Sequence, residues 1–332
     1  MGSSSHIPEE KLMRSKITIE GIVQGVGFRP FIYNLAKSHN LKGYVLNNST
    51  GVQIEAEGEG IDLRKFIEAL PESLPSQAQI LSLTEERLPP VNFTDFEIRE
   101  SSTQQKRTAL ISPDLAVCDA CLKELFNPQD PRYRYPFINC TNCGPRYTII
   151  DDIPYDRPHT SMKTFTMCEA CQKEYDDPTN RRFHAQPNAC WQCGPQVTLF
   201  DSSQGRVDTA DPIAEAVKLL SRGSILAIKG LGGYHLAVDA TNNSAVQRLR
   251  ELKLREEKPF AIMVPDLDTL RQLAKLSPED EDLLLSPQAP IVLLPKMETS
   301  PLSPLVAPHN PSIGVMLPYT PLHHLILKDL SL

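Results

Sequence analysis

Eight cysteines fall into four Cys-x-x-Cys pairs, a spacing that suits thiolate ligands of a metal ion. Cys118/Cys121 and Cys140/Cys143 are separated by 18 residues, as are Cys168/Cys171 and Cys190/Cys193, and the second set follows the first at an offset of 50 residues. No cysteine lies outside this repeat. Two adjacent copies predict two zinc modules made by duplication. Four thiolates close a tetrahedral shell, so both ions are expected to be structural, whereas a catalytic zinc keeps an open position. A redox use of Cys-x-x-Cys is the rival, and four pairs in tandem weigh against it. His159 and His184 compete as ligands only if a quartet is incomplete. The expected sets are Cys118, Cys121, Cys140 and Cys143 on one ion and Cys168, Cys171, Cys190 and Cys193 on the other; sequence alone leaves an interleaved pairing open.

Anion chemistry is suggested nearer the N-terminus. Gln24-Gly25-Val26-Gly27-Phe28-Arg29 lies between a strand pattern and a helix pattern whose first position suits Pro30. Small residues there let backbone N–H groups converge on an anion, and the helix dipole favours negative charge. Arg29 adds a planar, permanently charged donor fork. On these residues alone, an ordinary tight turn with a surface arginine is the stronger reading. The wider pattern, Gly21 to Arg29 followed by Gly43-Tyr44-Val45-Leu46-Asn47, closely resembles the acylphosphatase family. That resemblance implies that Gln24, Gly25, Val26, Gly27, Phe28 and Arg29 hold a phosphoryl group and that Asn47 positions the attacking water. The chemistry is consistent, because phosphoryl transfer relies on positioning and charge stabilisation more than on covalent help.

A third set lies further on. Lys229-Gly230-Leu231-Gly232-Gly233-Tyr234-His235 follows a strand pattern and Lys253-x-Arg255-x-x-Lys258-Pro259 follows a helix pattern. A solvated basic helix face is the common explanation of such clusters. With Pro290 to Leu294 and Ser312 to Pro318, however, they resemble the YrdC/Sua5 family, which binds ATP and makes carbamoyl-adenylate-type intermediates. The resemblance implies nucleotide contacts at Lys229, Lys253, Arg255, Lys258 and Ser312. Acylphosphatase, doubled zinc module and YrdC-like domain in this order resemble the N-terminal part of the HypF-type carbamoyltransferases of nickel–iron hydrogenase maturation. The 18-residue spacers and the 24-residue gap between Cys143 and Cys168 belong to that likeness. It implies that carbamoyl phosphate is cleaved in the first domain and that carbamate is activated with ATP in the YrdC-like domain. A further kinase-like domain would then pass the carbamoyl group to the C-terminal cysteine of a HypE protein.

The elements that must position these residues are legible in outline. From Ser15 to Glu100 the pattern reads β-α-β-β-α-β, an α+β ferredoxin-like sandwich with its last strand over Phe93 to Ile98. Asn47-Asn48-Ser49-Thr50-Gly51 is a turn cluster between hairpin strands. The cysteine segment is rich in Pro, Asp, Asn and Arg and poor in apolar periodicity, so metal is expected to supply its fold, at about 10–16 kcal/mol per structural zinc. Beyond Asp211 the pattern is α/β: a helix over Pro212 to Leu220 ended by Gly223, a buried strand over Ser224 to Ile228, and a helix over Asn243 to Leu254. Further strands are expected over Phe260 to Val264 and Ile291 to Leu294. The expected domains are 14–101 acylphosphatase-like, 107–156 and 157–203 zinc modules, and 205–332 YrdC-like and truncated.

Composition bounds the partners. The 332 residues are 40% hydrophobic and 23% charged, as in a globular protein, and carry a net charge of −7. That balance argues against nonspecific coating of nucleic acid or anionic membrane. Arg132, Arg134, Arg146, Arg181 and Arg182 interleave with Tyr133, Tyr135, Tyr147 and Phe183 in a manner that suits single-stranded nucleic acid. Cover for the small zinc cores is the preferred reading, with an RNA-binding zinc protein and a threonylcarbamoyl-adenylate synthase as the alternatives. Neither a transmembrane run nor a secretory leader is seen, which points to a cytoplasmic protein whose cysteines stay reduced. Met1-Gly2 begins like a myristoylation site, but His6 breaks the motif.

Overall fold

Alternation decides the first element. In the computed structural model, which describes residues 12–102 and 108–330, Leu12–Ile22 forms strand β1 and turns Ser15, Ile17, Ile19 and Gly21 to one buried face. Met1-Gly2, His6 and the position 107 boundary lie outside the described residues. The chain divides into two units. One takes the residues up to Pro113 with Cys140–Asn142 and Ile149–Asn188; the other takes Asp114–Asn139, Cys143–Thr148 and the chain from Ala189 onward.

In the first unit, β1 is followed by helix α1 (Phe28–Ser38), β2 (Lys42–Asn47), β3 (Val52–Glu59), α2 (Gly60–Glu72), β4 (Gln79–Leu88) and β5 (Phe96–Ile98). The sheet order is β4-β1-β3-β2-β5, antiparallel except for the β2–β5 pair. Helix α1 buries Phe28, Ile32 and Ala36, and α2 buries Leu63, Phe66 and Leu70, each at helical spacing. They pack with Ile17, Ile19, Val45, Val52, Ile54 and Phe96 into one apolar core. At Gly43, where φ is +138°, an added Cβ would lie 1.9 Å from the Glu55 carbonyl oxygen. Only glycine lets β2 and β3 pair there.

The ferredoxin-like order is present, but its fourth strand is Gln79–Leu88, not Phe93 to Ile98. The latter region supplies a short extra edge strand, β5. Among the described residues strand β4 pairs on one side only, with β1, and it carries Glu85, Glu86 and Arg87 with an exposed Leu81. An edge strand with a solvated face lacks the apolar alternation by which strands are recognised.

Short helices α3 (Asp119–Leu125) and α4 (Glu169–Asp176) begin directly after Cys118 and Cys168, so the cysteine repeat is also a repeat of structure. After a small hairpin, β6 (Phe200–Asp201) and β7 (Gly205–Arg206), the second unit continues with α5 (Pro212–Ser221), β8 (Leu226–Lys229), β9 (Tyr234–Ala237) and α6 (Asn243–Lys253). Then come β10 (Ala261–Met263), α7 (Leu267–Arg271), α8 (Pro278–Leu285), β11 (Val292–Pro295), β12 (Ser312–Met316) and α9 (Pro321–Asp329). Strand β12 pairs in parallel with β10 and antiparallel with β11. Val246, Ile262, Leu270, Leu284, Leu294, Ile313 and Val315 fill the core beside this sheet. The strand expected to be buried over Ser224 to Ile228 is β8, which among the described residues pairs only with β9 and leaves Ala227 and Lys229 exposed. Among the described residues no helix is long and apolar enough to cross a membrane.

Candidate functional site

Gly25 and Gly27 take φ of +75° and +74°, the left-handed turn that L side chains resist, and so reverse the chain between β1 and α1. Helix α1 starts at Phe28, two residues before the expected Pro30. Arg29 therefore sits in the first helical turn, and no side chain caps the helix at Gly27. Val26 and Phe28 are buried in the core, so their share in the loop is backbone only. The Gln24 side chain is consumed by protein: Nε2 donates to the Asn48 and Gly51 carbonyls, both at 2.7 Å, and Oε1 accepts from Tyr155 N at 2.9 Å. It ties the glycine loop to the Asn47–Gly51 turn, which Asn48 Oδ1 closes by accepting from Thr50 N and Gly51 N.

Asn47 ends β2 on the same buried face as Val45, as the period of two requires. It and Arg29 converge on one acceptor. The Tyr155 carbonyl receives Arg29 Nη2 at 3.5 Å and Asn47 Nδ2 at 3.4 Å. Asn47 is 1% exposed, Arg29 is 8% exposed, and Asn47 Oδ1 is buried without a hydrogen-bond partner. An acceptor so placed needs a donor from a ligand or water.

Sequence reasoning missed the roof of this site. The segment Pro154–Asp156 lies over the loop, and the Asp156 carboxylate stands 2.7 Å from Arg29 Nη2 while also accepting from the Ser101 hydroxyl. Tyr175 and His184 lie close by. Burial, and secondarily the Arg29 charge, push His184 down to about 4. Burial raises Tyr175. Nothing in the local pattern of residues 153–157 signals this, because the contact spans more than a hundred residues of chain.

The cysteines gather sequentially, not interleaved. Cys118, Cys121, Cys140 and Cys143 form one group and Cys168, Cys171, Cys190 and Cys193 the other, with the ligand atoms in each group all within 4.8 Å of one another. Four sulfurs at such range fit a closed tetrahedral zinc shell. The two histidines are engaged elsewhere: His159 Nδ1 meets the Pro154 carbonyl at 2.8 Å, and His184 packs on the Tyr175 and Phe183 rings. Arg132, Arg146 and Arg182 are buried, and Arg146 donates to the Cys143 and Pro145 carbonyls at 3.0 and 2.8 Å. With Arg132 donating to the Ala189 carbonyl at 2.9 Å and Arg182 paired with Glu174, these buried guanidinium groups brace the modules and are withdrawn from any nucleic acid.

The five basic and hydroxyl residues expected at a nucleotide do not form one cluster by direct contact. Lys229 ends β8, with Nζ 5.0 Å from the Tyr234 ring, whereas Ser312 opens β12 in the other sheet. Lys253 ends α6 exposed. Arg255 clamps its own turn, donating to the Lys258 and Pro259 carbonyls at 3.0 and 2.7 Å and stacking over Phe260. A group not singled out beforehand lies by the glycine loop: Tyr319 hydroxyl meets His235 Nε2 at 3.1 Å, and His323, packed on both rings, keeps a buried Nδ1 without a partner. A Cβ at Gly230 would strike the His235 ring at 2.5 Å, so this glycine makes room for the imidazole.

Three family models match the chain: acylphosphatase over residues 15–98, HypF finger over 117–150 and 167–200, and the Sua5, YciO and YrdC family (Telomere recombination) over 218–332. The carbamoyltransferase HypF of Synechocystis sp. is 52% identical over 317 residues, covering 95% of this chain and 41% of that protein. The chain belongs to the HypF carbamoyltransferase family. A probable carbamoyltransferase HypF of Methanocaldococcus jannaschii is 46% identical over 95% of the chain and 41% of its own length. A crystal structure of full-length HypF in the phosphate- and nucleotide-bound form superposes with a TM-score of 0.92 at 48% identity, covering 97% of this chain and 42% of that one. The chain thus spans about two fifths of the length of the HypF relatives it matches.

Proposed function

We propose that the chain cleaves carbamoyl phosphate at the glycine loop of its first unit, as the acylphosphatase-like part of a hydrogenase-maturation carbamoyltransferase. The observation that carries this reading is the convergence of Arg29 and Asn47 on the Tyr155 carbonyl beside an uncapped helix start. Backbone amides of residues 25–29 and the Arg29 guanidinium hold the phosphoryl oxygens and stabilise the charge they gain. Asn47 Oδ1, which lacks a protein donor, accepts from the attacking water and aims its lone pair at phosphorus. Acyl phosphates have a good leaving group, so neither a metal nor a strong base is required for this step. Zinc in both cysteine quartets is structural, and the cell compartment is the cytoplasm, where thiolates stay reduced.

In the same reading the YrdC-like part activates carbamate with ATP as carbamoyl adenylate, with Lys229, Lys253, Arg255, Lys258 and Ser312 toward the nucleotide. The carbamoyl group would then pass to the C-terminal cysteine of a HypE protein. The phosphate- and nucleotide-bound form of full-length HypF supports both ligand classes. The test is phosphate release from carbamoyl phosphate by the 332-residue chain. Arg29→Ala and Asn47→Ala should each lower kcat by about 100-fold or more, the scale of losing one pre-organised donor. Undiminished turnover in either variant sinks the assignment.

A further inference from the structure

Cleaving an acyl phosphate gives no reason to set a carboxylate beside the phosphate-binding arginine, since an anion there opposes the phosphoryl charge. Asp156 nevertheless stands 2.7 Å from Arg29 Nη2. It is held in place, not incidental: Ser101 donates to its Oδ2, and the preceding residue is fastened through Tyr155 N to Gln24 and through Tyr155 O to Arg29 and Asn47. Among the described residues the Tyr155 carbonyl and the Asp156 carboxylate both meet Arg29 at Nη2, and Nε–H, on the same edge of the guanidinium, is the donor offered to a phosphoryl group. The carboxylate thus stands beside that donor, where it would flank a phosphoryl group held there. A side chain that only accepts hydrogen bonds suits a ligand that donates them next to its phosphoryl group.

Among small acyl phosphates that feature separates two near-isosteres. Carbamoyl phosphate carries an NH2 on its acyl carbon, and acetyl phosphate carries a methyl at the same place. We propose that Asp156 is a specificity-determining residue of this site, accepting a hydrogen bond from the amino group of carbamoyl phosphate and setting an acceptor against a methyl group when the acyl group is acetyl. The inference rests on the acyl phosphate reading of the loop. Selection against the methyl follows from the general asymmetry of buried polar sites, which reject an analogue lacking the expected donor far more strongly than apolar pockets reject an extra group. Arg29 and Asn47 are buried beneath residues 154–156, and Asp156 is half-buried beside them.

The experiment compares kcat/KM for carbamoyl phosphate and acetyl phosphate in the intact chain, in Asp156→Ala, Asp156→Asn and Arg29→Ala, each checked for folding by circular dichroism. The ratio of the two substrates should favour carbamoyl phosphate in the parent chain and fall by about 30-fold or more in Asp156→Ala. Asp156→Asn, which keeps one acceptor oxygen and the shape, should retain part of the preference. Loss of both activities in Arg29→Ala, with the ratio altered only at residue 156, separates this inference from the site reading beneath it. A ratio within about threefold of the parent in Asp156→Ala overturns the proposal, as does an equal rise on both substrates, which would make Asp156 a mere plug. Activity persisting in Arg29→Ala would overturn the site reading itself.

Discussion

At the scale of the residue, His184 links burial to the charge of the site. Its imidazole lies between Tyr175 and Phe183, with Arg29, Asp156 and Asp176 as the charged groups nearest to it electrostatically. Burial and the Arg29 charge outweigh the two carboxylates, moving it from its ordinary 6.5 to about 4. The native protein therefore holds this histidine neutral where the unfolded chain would protonate it. Between about pH 6.5 and 4 the unfolded state binds more protons, so stability rises with pH and is lost as pH falls through that window. His323 and His324, also pushed down to about 4 mainly by burial, act in the same direction. Thermal melts of His184→Gln should show a shallower decline from pH 6.5 to 4 than the parent chain. Parallel curves would show that His184 does not titrate on unfolding in this range. Arg29 teaches a complementary lesson. Its type and its neighbours Gly25 and Gly27 could be picked out in the sequence as candidates, but its partner Asp156 could not, because pairing across 127 positions leaves no local pattern.

At the scale of the element, the ferredoxin-like sheet was legible where strands bury one face and illegible where they do not. Ile17, Ile19, Val45 and Ile54 advertise β1, β2 and β3 by alternation, whereas β4 is an edge strand of mixed charge and was passed over. The α1 start was placed two residues late because proline marks a first helical turn without fixing which position in it. Gly43 is the sharpest test of the pairing. Any Cβ there meets the Glu55 carbonyl at 1.9 Å, and φ of +138° strains every L residue besides. Gly43→Ala should cost several kcal/mol, as backbone must move and the β2–β3 ladder must part. Because Asn47 ends the same strand, the variant should also lose phosphate release more than it loses helix content. Chemical denaturation with a parallel activity assay measures both, and a midpoint equal to the parent's would refute the packing argument. A separate element, the β8–β9 hairpin, depends on Gly230 in the same way: Gly230→Ala would drive the His235 ring off Tyr319 and should weaken any ligand binding by the glycine loop without unfolding the β10–β12–β11 sheet.

At the scale of the whole molecule, the question is what the metal sites hold up. The segment carrying the quartets has short helices, many turns and arginines spent on backbone carbonyls, so burial of apolar surface alone does not account for its order. The residues of the roof, Pro154–Asp156, fall in sequence between the first quartet and the second, and their neighbour Arg157 is anchored by the Gln186, Asn188 and Phe165 carbonyls. Asn188 in turn donates to the carbonyl of Cys171 at 2.9 Å. Loss of metal should therefore reach the glycine loop at residues 24–29 through this chain of bonds, with the quartets acting from a distance. A strong chelator should release two zinc ions per chain, one from each quartet, as read by a chromogenic zinc indicator. Far-ultraviolet dichroism should then lose the contribution of α3 and α4 while the ferredoxin-like sheet persists, since its core of Ile17, Phe28, Ile54 and Phe66 contains no cysteine. The thermal transition should lose the share contributed by the cysteine modules, because structural zinc contributes about 10–16 kcal/mol to such modules and nothing to the sheet. Acetyl phosphate hydrolysis should gain on carbamoyl phosphate in the stripped protein, the same direction expected for Asp156→Ala. An unchanged single transition after complete zinc release would mean that the quartets do not fold the segment, and the connection from metal to roof to phosphate loop would fail with it.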